Sequence, residues 1–209
     1  MSDIYDPKLN TFIINDNFNQ QLKECNIPDS VQTLTFGDKF NQILKEGDIP
    51  NSVQTLTFGY LFNQPLKKGD IPNSVQTLTF GNCFNQQLKK GDIPNSVKTL
   101  SVGCHVNQSL NNLPNSVNHI IFRSSSEIAL NNLPNTITQI TLYEITTEIN
   151  NLPNTITEIT LYEITTEINN LPCSLEKIKL LNYNQKELSL LRIPYGCILL
   201  DRNNNKIEI

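Results

Sequence analysis

Residue types that form helices, or that commonly carry catalysis, are scarce in this chain. It contains one alanine, one methionine, two histidines and no tryptophan among 209 residues. Alanine and methionine are strong helix formers, whereas the asparagine, proline and β-branched residues that abound here favour turns and strands. The composition therefore excludes a helical bundle and indicates short strands joined by frequent turns.

Charge and long apolar runs are scarce as well. Charged residues make up 17% of the chain and the net charge is −4, so there is no basic stripe of the kind that binds nucleic acid. No run approaches the ~18 apolar residues of a membrane span, and the start lacks the regions of a signal peptide. The five cysteines are odd in number and form no CxxC motif, which favours a reducing compartment. We expect a cytoplasmic protein without nucleic-acid or membrane partners.

What the chain does have is a repeat. Nine of its eleven prolines recur at spacings of 22, 22, 22, 20, 20, 19, 19 and 22 residues. They are Pro28, Pro50, Pro72, Pro94, Pro114, Pro134, Pro153, Pro172 and Pro194. A period of this length is typical of a solenoid, in which each unit buries its apolar face against its neighbours. The spacing predicts one continuous stack.

Each unit carries one short strand. Apolar residues recur at the third, sixth and eighth positions after the proline, as in Val53, Leu56 and Phe58. Because the sixth and eighth positions lie two residues apart, they point to one side of an extended strand, and the fifth, seventh and ninth point to the other. Ten parallel strands are predicted, near residues 9–14, 31–36, 53–58, 75–80, 97–102, 117–122, 137–142, 156–161, 175–180 and 197–202.

The return half of the longer units repeats too. Phe62 and Leu66 represent the apolar positions that close the core, and Asn63 represents the asparagine between them. Consecutive coils lie ~4.8 Å apart, so these asparagines are expected to stack and to satisfy backbone groups of the turn. A glycine ends each of four successive strands, at Gly37, Gly59, Gly81 and Gly103. We attribute these glycines to backbone angles that let the chain leave the strand.

The repeat leaves short segments at both ends. Leu9 and Phe12 already fit inward strand positions. We therefore expect an N-terminal cap segment at 1–8, a solenoid at 9–202, and a C-terminal cap or edge strand at 203–209. The units are 22 residues long to about residue 110 and 19–20 residues long to about residue 172. Poorly capped edge strands predict weak self-association.

One family matches these motifs. The segment 49–59 (IPNSVQTLTFG), followed by FNQPL at 62–66, resembles the FNIP repeat, a relative of the leucine-rich repeat. Its order Val-x-x-Leu-x-Phe, then Asn, parallels the leucine-rich pattern. After Val106 the units shorten and lose the Phe-Asn-Gln segment, while 131–149 and 150–168 are almost identical. FNIP proteins occur in amoebae and their large DNA viruses, so the resemblance implies a host-cytoplasmic location if the source is viral.

The resemblance and the repeat together define the expected fold. It is mainly β, a single leucine-rich-repeat-like solenoid of about ten units with one parallel sheet on the concave face. Return segments such as 44–49 (LKEGDI) are too short and too rich in glycine and proline for an α-helix. The back is therefore expected to be extended or 3-10. Because helices would widen the back, their absence predicts weak curvature.

The resemblance implies a non-catalytic scaffold that binds an unidentified protein partner on the concave sheet face. Some FNIP proteins carry an F-box and act as substrate receptors of a ubiquitin ligase. Repeat spacing that starts near Leu9 leaves no room for an F-box, so one alternative is substrate recognition in such an assembly without an F-box. Another is an ice-binding or structural repeat protein, because repeated Thr-x-Thr pairs present hydroxyls at regular spacing.

The outward strand positions change along the sheet. In the first half they repeat Thr-Thr-Gly, as in Thr55, Thr57 and Gly59, whereas the second half carries charge and aromatic rings. Tyrosine and arginine are enriched at protein interfaces. The predicted partner site is His119, Arg123, Gln139, Tyr143, Glu158, Tyr162, Lys177 and Lys179. Tyr143 and Tyr162 are expected ~5 Å apart, in adjacent coils.

No catalytic residue, metal ligand or cofactor is predicted. Cys104 and His105 are neighbours, but neighbours in an extended segment point to opposite sides, which argues against a Cys–His pair. A metal site needs several convergent histidines, cysteines or carboxylates, and the repeat supplies amides and hydroxyls instead. Lysines follow Leu44, Leu66 and Leu88 in successive units. We call them the lysine ridge: Lys45, Lys67, Lys68, Lys89 and Lys90. An aspartate comes within three residues of each lysine cluster. We interpret that ridge as a partly neutralised, solvated edge.

Overall fold

A single sheet runs through the whole structure. The computed structural model describes residues 3–123, 130, 133–145, 149 and 152–208. Its eleven strands are adjacent in chain order. They are β1 (Ile4–Asp6), β2 (Thr11–Ile13), β3 (Thr33–Thr35), β4 (Thr55–Thr57), β5 (Thr77–Thr79), β6 (Thr99–Val102), β7 (His119–Phe122), β8 (Gln139–Leu142), β9 (Glu158–Leu161), β10 (Lys177–Leu180) and β11 (Ile198–Leu200). Strands β2 to β11 pair in parallel, which confirms the ten predicted parallel strands.

The first strand, β1, was not predicted. It pairs antiparallel with β2, because the chain reverses through a tight turn between them. The carboxylate of Asp6 accepts the N–H of Lys8 at 2.9 Å, and Asn10 adopts a φ of 48°. This turn leaves the Leu9 side chain 70% exposed. The inward position expected for Leu9 is therefore wrong.

The C-terminal tail lies against the other end of the sheet. Leu200 and Lys206 form one antiparallel bridge, and the backbone N–H of Ile207 donates to the carbonyl oxygen of Leu199 at 2.9 Å. The cap or edge strand expected at 203–209 ends at Ile209, which lies outside the described residues. The intervening turn is closed by the carboxylate of Asp201, which accepts the backbone N–H of Asn205 at 2.8 Å.

The core is a spine of side chains stacked from coil to coil. Leu56 is fully buried and Phe58 is 2% exposed, as their inward positions predict. The ring of Phe58 lies 5.2 Å from that of Phe36 and 5.6 Å from that of Phe80, centroid to centroid. A second row from the return segments contacts the first, since the rings of Phe58 and Phe62 are 4.0 Å apart. Both predicted apolar rows are therefore confirmed.

The back of the solenoid contains little helix. A 3-10 turn spans Leu22–Glu24, and one four-residue helix, α1 (Gln185–Leu188), begins after Asn184, whose side chain accepts the N–H of Lys186 and of Glu187. Leu130 is also helical, and the other described return segments are turns and extended chain, as predicted. In the part of the chain that the structure describes, no helix has the length and apolar character needed to cross a membrane.

Asparagines join the return segments of successive coils. The backbone N–H of Asn41 donates to Oδ1 of Asn19 at 2.9 Å. The same bond, also 2.9 Å long, joins Asn63 to Asn41, Asn85 to Asn63, and Asn107 to Asn85. The side chain of Gln64 donates in addition to both oxygens of Asn41. The predicted asparagine ladder is confirmed, and it satisfies one backbone donor in each coil.

The glycines that end the first strands allow the coils to approach each other. A Cβ on Gly59 would lie 2.1 Å from the carbonyl oxygen of Gly37, and one on Gly81 would lie 1.9 Å from that of Gly59. None of these glycines has a positive φ, so the expected role in backbone angles is wrong. Positive φ values occur instead in the return segments, at Gly47, Gly69 and Gly91.

Candidate functional site

The first row of the predicted site runs across β7 to β10. His119 lies beside Gln139, which lies beside Glu158, which lies beside Lys177. The amide of Gln139 donates to the carboxylate of Glu158 at 3.3 Å. Each strand contributes its first residue because the repeat places them in register. The parallel pairing thus brings together four polar side chains that are 19 or 20 residues apart in sequence.

The second row lies just beyond the same strands. Tyr143 and Tyr162 follow β8 and β9 and donate their backbone N–H groups to the preceding coil, at 3.0 Å and 2.9 Å. Their ring centroids are 5.3 Å apart with an interplanar angle of 24°. Both side chains remain exposed, at 43% and 40%. The two tyrosines therefore form one aromatic patch at the expected spacing.

Arg123 begins the same row but lies toward the first half of the sheet. It is exposed and lines a cleft of about 200 Å³ together with Gly59, Gly81 and Asn82. Gly103 follows Val102 as Arg123 follows its strand partner Phe122, and because glycine has no side chain, Arg123 shares the cleft with Gly81 of the coil beyond. Sequence reasoning missed the contribution of Asn82 to this surface, because its position after the strand glycine gave no signal.

Lys179 differs from the other predicted residues. It is half-buried, and its ammonium group donates to Oδ1 of Asn204 at 2.8 Å. It pairs in register with Thr160 and Leu200, in the middle row of the face. The C-terminal tail therefore already occupies Lys179, which the repeat pattern could not show because the tail lies outside the repeat.

His119 is the least accessible member of the first row. It is half-buried, and its Nε2 lies 3.0 Å from the hydroxyl of Thr141. Burial lowers the pKa of His119 below its ordinary 6.5, and the nearby carboxylate of Glu158 opposes that shift. His119 therefore contributes a neutral ring that is held by a hydrogen bond.

The lowered pKa of His119 makes stability depend on pH. The unfolded chain binds the proton of His119 more readily than the folded chain does. The contribution of His119 to the free energy of unfolding is therefore complete above its unfolded pKa of 6.5. This contribution is lost as the pH falls from 6.5 through the lower pKa of the folded state. We expect wild type to lose more free energy of unfolding than His119→Gln between about pH 7.5 and about pH 5.5, as measured by urea titration. Equal losses in the two proteins would contradict this assignment.

The threonine face of the first half is less open than expected. Thr33, Thr55, Thr77 and Thr99 pair in register and are all half-buried. Neighbouring strands lie so close together that each threonine side chain is partly buried by those of the adjacent strands. The expectation of an exposed threonine ladder is therefore only partly met. In the second half, Thr141 is 8% exposed, which leaves the rows on either side of it as the accessible surface.

Cys104 and His105 lie closer together than predicted. Their Sγ and Nδ1 atoms are 3.5 Å apart, because these residues form a turn and not an extended segment. However, Nδ1 also lies 2.7 Å from the carbonyl oxygen of Asn82. A carbonyl oxygen only accepts, so Nδ1 carries the proton and is not free to take one from the thiol. Among the described residues, no group of three or more histidines, cysteines or carboxylates could hold a metal ion.

Comparisons with known proteins agree with the fold and the repeat. The FNIP Repeat family model matches residues 7–39, 40–83 and 84–125. A solved structure described as CroV588, a novel circular LRR protein, is similar with a TM-score of 0.66 and 36% identity, over 89% of this chain and 29% of that chain. This chain thus spans less than a third of that protein, and no curated protein matches it. Because the three matched segments are consecutive and cover more than half of its length, the chain belongs to the FNIP repeat family.

Proposed function

We propose that the chain is a non-catalytic scaffold that binds a protein partner on the outward face of β7 to β10. FNIP repeats and leucine-rich-repeat-like solenoids are typically scaffold folds. The observation that carries the proposal is the stacked pair of Tyr143 and Tyr162, which projects from an otherwise regular sheet.

The physical chemistry of this pair suits an interface anchor. Tyrosine offers a large, rigid surface with a hydroxyl at its tip, and such residues supply much of the binding energy at protein interfaces. The backbone of both tyrosines is fixed by hydrogen bonds to the preceding coil, so little order has to be gained on binding. Glu158 and Lys177 stand in the first row, on the other side of the middle row, and supply charges of both signs on the same face.

The first half of the same sheet provides the contrast. At the position of the tyrosines it has Gly59 and Gly81, which are buried under close contacts between coils. The row of glycines itself offers no projecting side chain, and the exposed ring of Tyr60, which follows Gly59, has no stacked partner ring among the described residues. The stacked, exposed pair of aromatic rings is therefore a feature of the second half of the scaffold.

Replacing both Tyr143 and Tyr162 with alanine should weaken partner binding by about 2 kcal/mol or more, or roughly thirtyfold in Kd. The matched control is Tyr183→Ala with Tyr195→Ala, since both of these tyrosines are exposed elsewhere on the chain, at 37% and 105%. The assay is affinity capture from amoebal lysate with quantitative mass spectrometry. Proteins captured by wild type and by the control should be lost from the Tyr143/Tyr162 variant.

Two outcomes of this assay would oppose the proposal. Equal capture by all three proteins would remove the tyrosine pair from the site. Loss of capture only when Lys67, Lys68, Lys89 and Lys90 are changed would move the site to the lysine ridge. Co-capture of ubiquitin-ligase subunits would favour the alternative role of substrate recognition in such an assembly. Unchanged thermal unfolding of the tyrosine variant is the control for its fold.

A further inference from the structure

A groove opens beside the proline turns, where long units give way to short ones. Its volume is about 1050 Å³, and its lining includes Lys68 and Lys90 together with Asn95, Asn111, Asn112 and Asn115. Ligand pockets in proteins commonly measure about 300–1,000 Å³. The groove is therefore large enough for a ligand of several residues, and none of the partner-site residues lines it.

The groove is widest where the unit length changes, since the cleft between equal units one coil earlier measures about 350 Å³. Between Leu88 and the next proline the chain carries Lys-Lys-Gly-Asp-Ile, whereas after Leu110 it carries Asn-Asn-Leu, which is two residues shorter. Both leucines are buried at equivalent core positions, 3% and 2% exposed. The side chain of Asn112 donates to the carbonyl oxygen of Leu88 at 3.0 Å and so ties the shorter coil to the longer one. The longer loop turns at Gly91, which has a φ of 95°. This loop projects beyond the shorter coil and forms one wall of the groove.

The charge of this groove is positive, contrary to the neutralised edge expected from sequence. Asp70 and Asp92 are 6% and 7% exposed, and each carboxylate accepts a backbone N–H of its own loop at 2.7 Å. Neither aspartate lines the groove, and none of the described residues that do so is acidic. Lys68 and Lys90, in contrast, are both exposed. The carboxylates that follow the lysines in sequence therefore accept hydrogen bonds within their own turns. Glu46 lines the adjoining cleft beside Lys68, so the groove itself carries two cations and its cationic end is the one at Lys90.

We propose that this groove binds an extended acidic peptide segment. Its two cations come from consecutive coils, which are ~4.8 Å apart, and its asparagines continue along the next coil. The lining thus spans three consecutive coils, from Lys68 to Asn115, a length that suits an extended ligand rather than a single anion. Asparagine amides both donate and accept, so they complement the N–H and C=O groups of an extended peptide backbone. The site is independent of the tyrosine face.

The test is a binding titration with a defined probe. We would follow backbone amide resonances by NMR while adding a terminally blocked hexapeptide of alternating glutamate and glycine. The glutamine–glycine hexapeptide and inorganic phosphate serve as comparison ligands. We expect the acidic peptide to shift the resonances of Gly91 and Asn112, and the double substitution Lys68→Gln and Lys90→Gln to weaken its binding at least tenfold. Lys23→Gln with Lys206→Gln removes the same charge elsewhere and should change the Kd less than twofold.

A second variant separates shape from charge. Replacing Asn111 and Asn112 by Lys-Lys-Gly-Asp restores the long unit, which should fill the groove and abolish binding although it adds two cations. Three results would overturn the proposal. The Lys23→Gln and Lys206→Gln control could weaken binding as much as the Lys68→Gln and Lys90→Gln variant does. The variant with the restored long unit could still bind the peptide, or the peptide could shift resonances outside the groove. Phosphate that binds as tightly as the peptide would also overturn it, because the site would then recognise a single anion. None of these outcomes depends on the tyrosine face.

Discussion

Alanine in place of Gly81 is expected to destabilise the chain by at least about 3 kcal/mol. The added Cβ would lie 1.9 Å from the carbonyl oxygen of Gly59 and 3.0 Å from Cα of Tyr60. Both are backbone atoms of a neighbouring coil, so no side-chain rotation can relieve the overlap, and the two coils have to separate. The measurement is the free energy of unfolding from urea titration, followed by circular dichroism and by tyrosine fluorescence.

The matched control is alanine at Gly47. Its φ is 90°, and nothing lies within 4 Å of the added Cβ, so the substitution strains only its own backbone. A positive φ costs a residue with a side chain roughly 1–2 kcal/mol. Gly47→Ala should therefore be the milder change. If it destabilises the chain as much as Gly81→Ala does, close contact between coils is not the reason for the strand-ending glycines.

Truncation of Phe58 to alanine should cost about 3–5 kcal/mol, measured by the same titration. The ring is 2% exposed and stacks on Phe36, Phe62 and Phe80, with centroids 5.2, 4.0 and 5.6 Å away. Its removal leaves a cavity inside a continuous column, and the coils on either side are held apart by their own strand pairing, so the cavity cannot collapse.

The control for Phe58 is Ile43→Ala. Ile43 is 57% exposed on the same part of the solenoid, and surface truncations usually change stability by less than about 0.5 kcal/mol. A loss below about 1 kcal/mol for Phe58→Ala would mean that the aromatic column contributes little to stability.

The strands and core could be predicted because each is repeated many times. An inward pair such as Leu56 and Phe58 recurs in every coil except the last with the same two-residue spacing, and parallel stacking needs only that the spacing be kept. Features that occur once could not be predicted. The hairpin of β1 depends on the Asp6 turn, and the single bridge at Lys206 depends on the Asp201 turn; neither has a second copy in the sequence with which to compare it.

The candidate site was predictable in its rows and not in its individual contacts. The spacing of Tyr143 and Tyr162 follows from strand pairing alone. Lys179 contacts Asn204, and Arg123 lines a cleft with Gly81. Both contacts depend on the rotamers of long side chains, which the sequence does not determine. The groove was missed because proximity in sequence suggested that each lysine cluster is paired with its following aspartate. In the structure, backbone N–H groups take those carboxylates instead.

The asparagine ladder has a direction. The N–H of Asn63 binds the side chain of Asn41, and that of Asn85 binds the side chain of Asn63, so the acceptor always belongs to the earlier residue. A ribosome makes Asn41 before Asn63, which means that each acceptor has already been synthesised when its donor emerges. A nascent chain can therefore close these bonds one coil at a time, in the order of translation, with each finished coil serving as the template for the next.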